Sequence, residues 1–108
     1  MFGVQELATA VKYGINLVTV VFNNSSYGNV LRDQRTVYQG HEIGSSLTNP
    51  DFVKLAESFG ATAYRAKTPA ELKTALEKGF AQSGPVLIEV PGEPGSETSP
   101  WPYLHPKL

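Results

Sequence analysis

The fold is decided by residues 17–26, Leu17-Val18-Thr19-Val20-Val21-Phe22-Asn23-Asn24-Ser25-Ser26. The first six are a near-continuous apolar run rich in β-branched residues, the pattern of a strand covered on both faces in a parallel sheet. Four short polar residues then stop it abruptly. Upstream, Val4, Leu7, Ala8, Ala10 and Val11 fall near one helical stripe, which predicts a helix over 5–13 with Gly14 as its left-handed stop. Downstream, residues 27–48 show no firm period beyond a short helix over 29–34. So long an irregular segment in a small domain is usually a lid, a binding loop or a stretch disordered without ligand.

The second half has a clearer pattern. Asn49-Pro50-Asp51 predicts a helix start, with Asn49 as cap, Pro50 in the first position and an acid in the first turn. Phe52, Leu55, Ala56 and Phe59 form its apolar stripe, and Gly60 ends it. Residues 61–66 read as a lesser strand near a sheet edge. Thr68-Pro69-Ala70-Glu71 has the form of a capping box, opening a helix expected to bury Leu72, Ala75, Leu76 and Phe80. Val86-Leu87-Ile88-Glu89-Val90 is a second buried strand. The segment from Pro91 to Leu108 holds five of the eight prolines and is expected to be extended rather than helical. Strands alternating with helices define an α/β chain with a partial doubly wound parallel sheet and helices on both faces. Three strands this apolar call for a further covering partner, either upstream residues or another chain.

Composition narrows the function. The chain has 108 residues, room for one domain. Its net charge is −1 and charged residues are 18%, which argues against a nucleic-acid partner or a polybasic membrane anchor. There is no cysteine, so thiol catalysis and thiolate metal sites are excluded. No apolar run approaches the ~20 residues of a membrane helix, and the N-terminus has no secretory pattern. The expected setting is the cytoplasm.

Ligands of open parallel sheets sit beyond the carboxyl ends of the strands, where Asn23 to Ser26 fall. Their amides and hydroxyls offer neutral oxygens. Magnesium accepts such oxygens when a phosphate supplies the negative charge. The same residues also serve as an ordinary polar turn. His41 reads as a solvated loop residue and His105 has no partner at metal spacing. Arg32, Asp33 and Arg35 read as a solvated helical face, Glu6 as a complement to a helix dipole, and Trp101 and Tyr103 as packing residues of the tail.

Gln5-Glu6-Leu7-Ala8-Thr9-Ala10, Gly14 and Asn23-Asn24-Ser25-Ser26-Tyr27-Gly28 resemble the second half of the thiamine-diphosphate-binding motif, which opens on Gly-Asp-Gly and closes on Asn-Asn. The likeness continues through Asn49-Pro50-Asp51-Phe52, Phe59-Gly60-Ala61 and Gly84-Pro85-Val86-Leu87-Ile88-Glu89-Val90. It is most similar to the C-terminal cofactor domain of acetolactate synthase and the 2-oxo acid decarboxylases, over residues 1–90, with 91–108 as a Pro-rich tail. The resemblance implies thiamine diphosphate and Mg2+ as cofactors. It implies Asn24 as side-chain metal ligand and Ser26 as carbonyl ligand, with Asn23 and Tyr27 shaping the cofactor turn. The family has glycine in the place of Ser26, a change that matters only if the backbone there is strained. Gly-Asp-Gly would lie just before Met1. The chain is therefore expected to be a fragment (a truncated gene, a wrong start or a partial clone) with little turnover alone. The whole enzyme would act on a 2-oxo acid as a homo-oligomer. The alternative is a non-catalytic α/β binding or assembly module.

Overall fold

The computed structural model describes residues 3–96 and Leu104. Within residues 3–96 the elements follow in the order α1 (Glu6–Lys12), β1 (Val18–Asn23), α2 (Gly28–Thr36), α3 (Phe52–Ser58), β2 (Thr62–Arg65), α4 (Pro69–Ala81) and β3 (Val86–Pro91). They fall into two compact units. One is made from 1–23 and 48–92, the other from 24–47 and 93–108.

The first unit carries a three-stranded parallel sheet in the order β1-β3-β2. Its middle row aligns Val20, Ile88 and Tyr64. Successive side chains alternate between the faces. On one face Leu87, with Val21 and Ala63 beside it, packs with Leu7, Phe52, Ala56 and Ala61, which brings in α1 and α3. On the other, Val86 and Ile88 pack with Ala66 and Ala75, flanked by Val18, Val20, Leu72 and Leu76, which brings in α4. The α/β arrangement with helices on both faces is thus as expected.

Local chemistry sets most boundaries. Gly14 and Gly60 both take positive φ, +60° and +88°, where a Cβ is disfavoured, and each ends a helix. Thr68 Oγ1 accepts from the Glu71 N–H at 3.2 Å, as the capping box requires. The return bond differs: Glu71 Oε2 accepts from the Lys67 N–H at 2.6 Å, one residue earlier than the motif predicts.

Five expectations are corrected. Asp51, not Asn49, caps α3, its Oδ1 accepting from the N–H groups of Val53 and Lys54 at 3.1 and 3.2 Å. Asn49 instead donates its side-chain Nδ2 to Asn23 Oδ1, and the helix starts after Asp51. Phe80 is exposed rather than buried. Gly79 brings α4 against Val18 and Val86, close enough that an added Cβ would meet both at 3.4 Å. The inward stripe is therefore Leu72, Ala75, Leu76 and Gly79, and Phe80 turns outward. β1 is less fully covered than expected: its residues are half-buried and Phe22 is 75% exposed, and it is an edge strand with only β3 beside it among the described residues. α2 is longer than the expected 29–34. Leu104 is helical although an extended tail was expected. Trp101, Tyr103 and His105 lie outside the described residues.

In the second unit, segment 37–47 folds back on α2. Tyr38 N–H donates to the Asp33 carbonyl at 3.1 Å, Gln34 Nε2 to the Ile43 carbonyl at 2.9 Å, and Arg35 Nε to Glu42 at 2.6 Å. The Arg35 pair and His41 are exposed, as the solvated reading of that face expects.

Candidate functional site

At the carboxyl ends of the strands in the first unit, five polar side chains form one continuous set. Glu89 is buried, 4% exposed, within an otherwise apolar central strand. A buried carboxylate requires partners. Arg65 Nε at the end of β2 donates to Glu89 Oε2 at 2.8 Å, and Asn23 Nδ2 at the end of β1 donates to Glu89 Oε1 at 2.9 Å. Asn23 Oδ1 accepts from Asn49 Nδ2 at 2.9 Å. A second guanidinium nitrogen of Arg65 donates to Asp51 Oδ1 at 2.8 Å, the same oxygen that caps α3. Bonding to Glu89 raises the Arg65 pKa first, with Asp51 adding to it. Asp51 is held below the usual carboxylate range, chiefly by the Lys54 N–H and further by Arg65.

The second unit holds the turn. Asn24 Oδ1 accepts from the Ser26 N–H at 3.2 Å, an Asx turn. Ser25 has φ +55°, so the left-handed residue is Ser25, whereas the resemblance had drawn attention to Ser26. An antiparallel bridge pairs Ser26 with Ser46. The flanking bonds run from Tyr27 N–H to the Ser45 carbonyl and from Leu47 N–H to the Ser25 carbonyl, both 2.8 Å. Neither engages the Ser26 carbonyl. Ser26 Oγ is buried and has no hydrogen-bond partner among the described residues. Such an atom is unusual and marks a place where a polar ligand would be accepted. Tyr27 is 58% exposed and directly precedes α2. The Asn24 amide oxygen and the Ser26 carbonyl and hydroxyl make a neutral donor set. That set fits a magnesium ion whose charge is balanced by a phosphate. Among the described residues no group of three or more His, Asp or Glu stands ready to hold a metal.

Sequence reasoning missed the roles of Arg65, Asp51, Asn49 and Glu89. One signal was available: an acid inside Val-Leu-Ile-Glu-Val must find a cation or a donor when the strand is buried.

Residues 1–90 match the family described as the C-terminal TPP binding domain of thiamine pyrophosphate enzymes. The chain belongs to that family. It is 40% identical to the acetolactate synthase of Bacillus subtilis over 91 residues, covering 84% of this chain and 16% of that protein. It is 35% identical to the 2-hydroxyacyl-CoA lyase of Arabidopsis thaliana, covering 82% and 16%. Among solved structures it is similar to the thiamine diphosphate-dependent 4-hydroxybenzoylformate decarboxylase of Rhodococcus jostii RHA1, with TM-score 0.75, 31% identity and coverage of 84% of this chain and 17% of that one. The chain thus spans less than a fifth of these relatives. No helix among the described residues is long and apolar enough to cross a membrane.

Proposed function

We propose that residues 1–90 are the metal- and diphosphate-anchoring part of an enzyme acting on 2-oxo acids, acetolactate synthase-like or decarboxylase-like, with 91–108 as its tail. The observation that carries this reading is the Asx turn of Asn24 and Ser26, with its neutral oxygens and a buried Ser26 hydroxyl that has no partner among the described residues. Asn24 Oδ1 and the Ser26 carbonyl would hold Mg2+ against the diphosphate, and Asn23 and Tyr27 would shape the turn. When bound, thiamine diphosphate supplies the electron sink for releasing carbon dioxide from a 2-oxo acid. This chain's share is binding and placement. The charged metal ligand expected from Gly-Asp-Gly is not in the sequence, so binding by this chain alone would be weak and turnover negligible. The complete enzyme would work as a homo-oligomer, as the family's intersubunit cofactor site implies.

The test is calorimetry with Mg2+ and thiamine diphosphate on this chain and on a form extended upstream through Gly-Asp-Gly. The extended form should bind more tightly, and Asn24→Ala should weaken it by at least about tenfold, the scale on which metal-site contacts act. No metal-dependent binding in either form, and no effect of Asn24→Ala, would overturn the reading in favour of a non-catalytic assembly module.

A further inference from the structure

We propose that Glu89, held by Arg65, is a positioning residue that fixes the amide of Asn23 at the point where β1 runs into the turn. The inference rests on the function proposed above and adds a part to it. Glu89 lies in the middle of the apolar central strand and is 4% exposed. In the sheet register it stands opposite Arg65 on one side and Val21 on the other, which makes Asn23 its diagonal neighbour on the same face. Its two oxygens are divided, one on the Arg65 guanidinium and one on the Asn23 amide nitrogen. The Asn23 amide is in turn oriented from both ends. Nδ2 donates to Glu89 and Oδ1 accepts from Asn49. A flipped amide would set oxygen against carboxylate and nitrogen against nitrogen. The Asn23 carbonyl is also held, accepting from the Gly92 N–H at 2.8 Å.

Stability alone does not explain this arrangement. A buried ion pair is commonly no better than apolar residues of the same volume, and the neighbouring Leu87, Ile88 and Val90 show that this strand accommodates such residues. An oriented amide is something an apolar side chain could not provide. Side chains that orient the groups around a metal act on affinity typically by about 10–100-fold.

The experiment combines nitrogen-15 NMR on this chain with Mn2+–thiamine diphosphate binding to the form extended upstream. In the unaltered chain the Asn23 side-chain NH2 protons should exchange with solvent more slowly than those of exposed Asn29. Glu89→Gln should speed Asn23 exchange by about tenfold and weaken Mn2+–thiamine diphosphate binding by a similar factor, with the far-ultraviolet circular dichroism retained. Exchanging the two groups, Asn23→Asp with Glu89→Gln, lets the introduced amide donate to the introduced carboxylate. The double variant should bind more tightly than Glu89→Gln alone, a coupling that two independent structural defects would not show. If Glu89→Gln fails to fold, Asn49→Ala removes the other amide contact and should speed Asn23 exchange by a smaller factor. Unchanged Asn23 exchange in the variants that fold would overturn the inference. So would Glu89→Gln binding at full affinity while Asn24→Ala weakens binding. If the extended form does not bind and Asn24→Ala changes nothing, the proposed function fails instead, and Asn23 exchange still decides whether Glu89 fixes the amide.

Discussion

β1 and β3 are nearly indistinguishable as sequence, yet they hold opposite places in the sheet. Leu17-Val18-Thr19-Val20-Val21-Phe22 is as apolar and β-branched as Val86-Leu87-Ile88-Glu89-Val90. Even so, β3 is buried through Glu89, while β1 is half-buried and carries Phe22, 75% exposed, near its end. The difference comes from neighbours. β3 is hydrogen-bonded on both sides and covered by helices on both faces, whereas β1 pairs, among the described residues, with β3 alone. An apolar run states a requirement for cover, and pairing decides how much of it is met. The one charge in either run lies in the better-covered strand, and Arg65 and Asn23 make it tolerable there.

The sharpest way to break this comparison uses the row shared by Val20 and Ile88. Ile88→Ala, at a fully buried position, should lower unfolding free energy by about 2–5 kcal/mol in urea titrations. Val20→Ala, on the same face but half-buried, should lose roughly 1 kcal/mol in the same titration. Equal losses would mean that β1 is covered as fully as β3.

A smaller effect is expected at the acid end of the network. The folded pKa of Asp51 is depressed, so its contribution to stability is fully present above the unfolded carboxylate value of about 3.9. It is lost as pH falls below that value through the folded pKa. The melting-temperature advantage of the unaltered chain over Asp51→Asn should therefore shrink as pH is lowered from about 5 to about 3. An advantage that grew on acidification would contradict the hold of the Lys54 N–H and of Arg65 on the Asp51 carboxylate. The smallest effect belongs to the exposed end of β1. Phe22→Ser should change stability by no more than about 0.5 kcal/mol, and a much larger loss would show that this side chain is covered.

Much of the architecture was legible locally. The stripe at Leu72, Ala75 and Leu76, the Thr68 cap, and the stops at Gly14 and Gly60 rest on spacings of a few residues, and a sequence displays these directly. The turn at Asn24 and Ser26 was legible for the same reason. Phe80 was misread because the close approach of Gly79 to Val18, distant in the chain, and to Val86 sets which residues of α4 face inward. Asn49 was misread as a cap: Asp51 takes that place, and the Asn49 amide donates to Asn23, 26 residues away.

By itself the sequence determined an α/β chain with the order of its helices and strands, its family and the polar turn that ends β1, because periodicity, capping and motif spacing are short-range properties of the chain. Only the tertiary structure decided which apolar strand lies at the centre, and that Glu89 meets Asn23 across 66 residues of sequence. Pairing and burial depend on which distant segments come together, and local pattern carries no record of that.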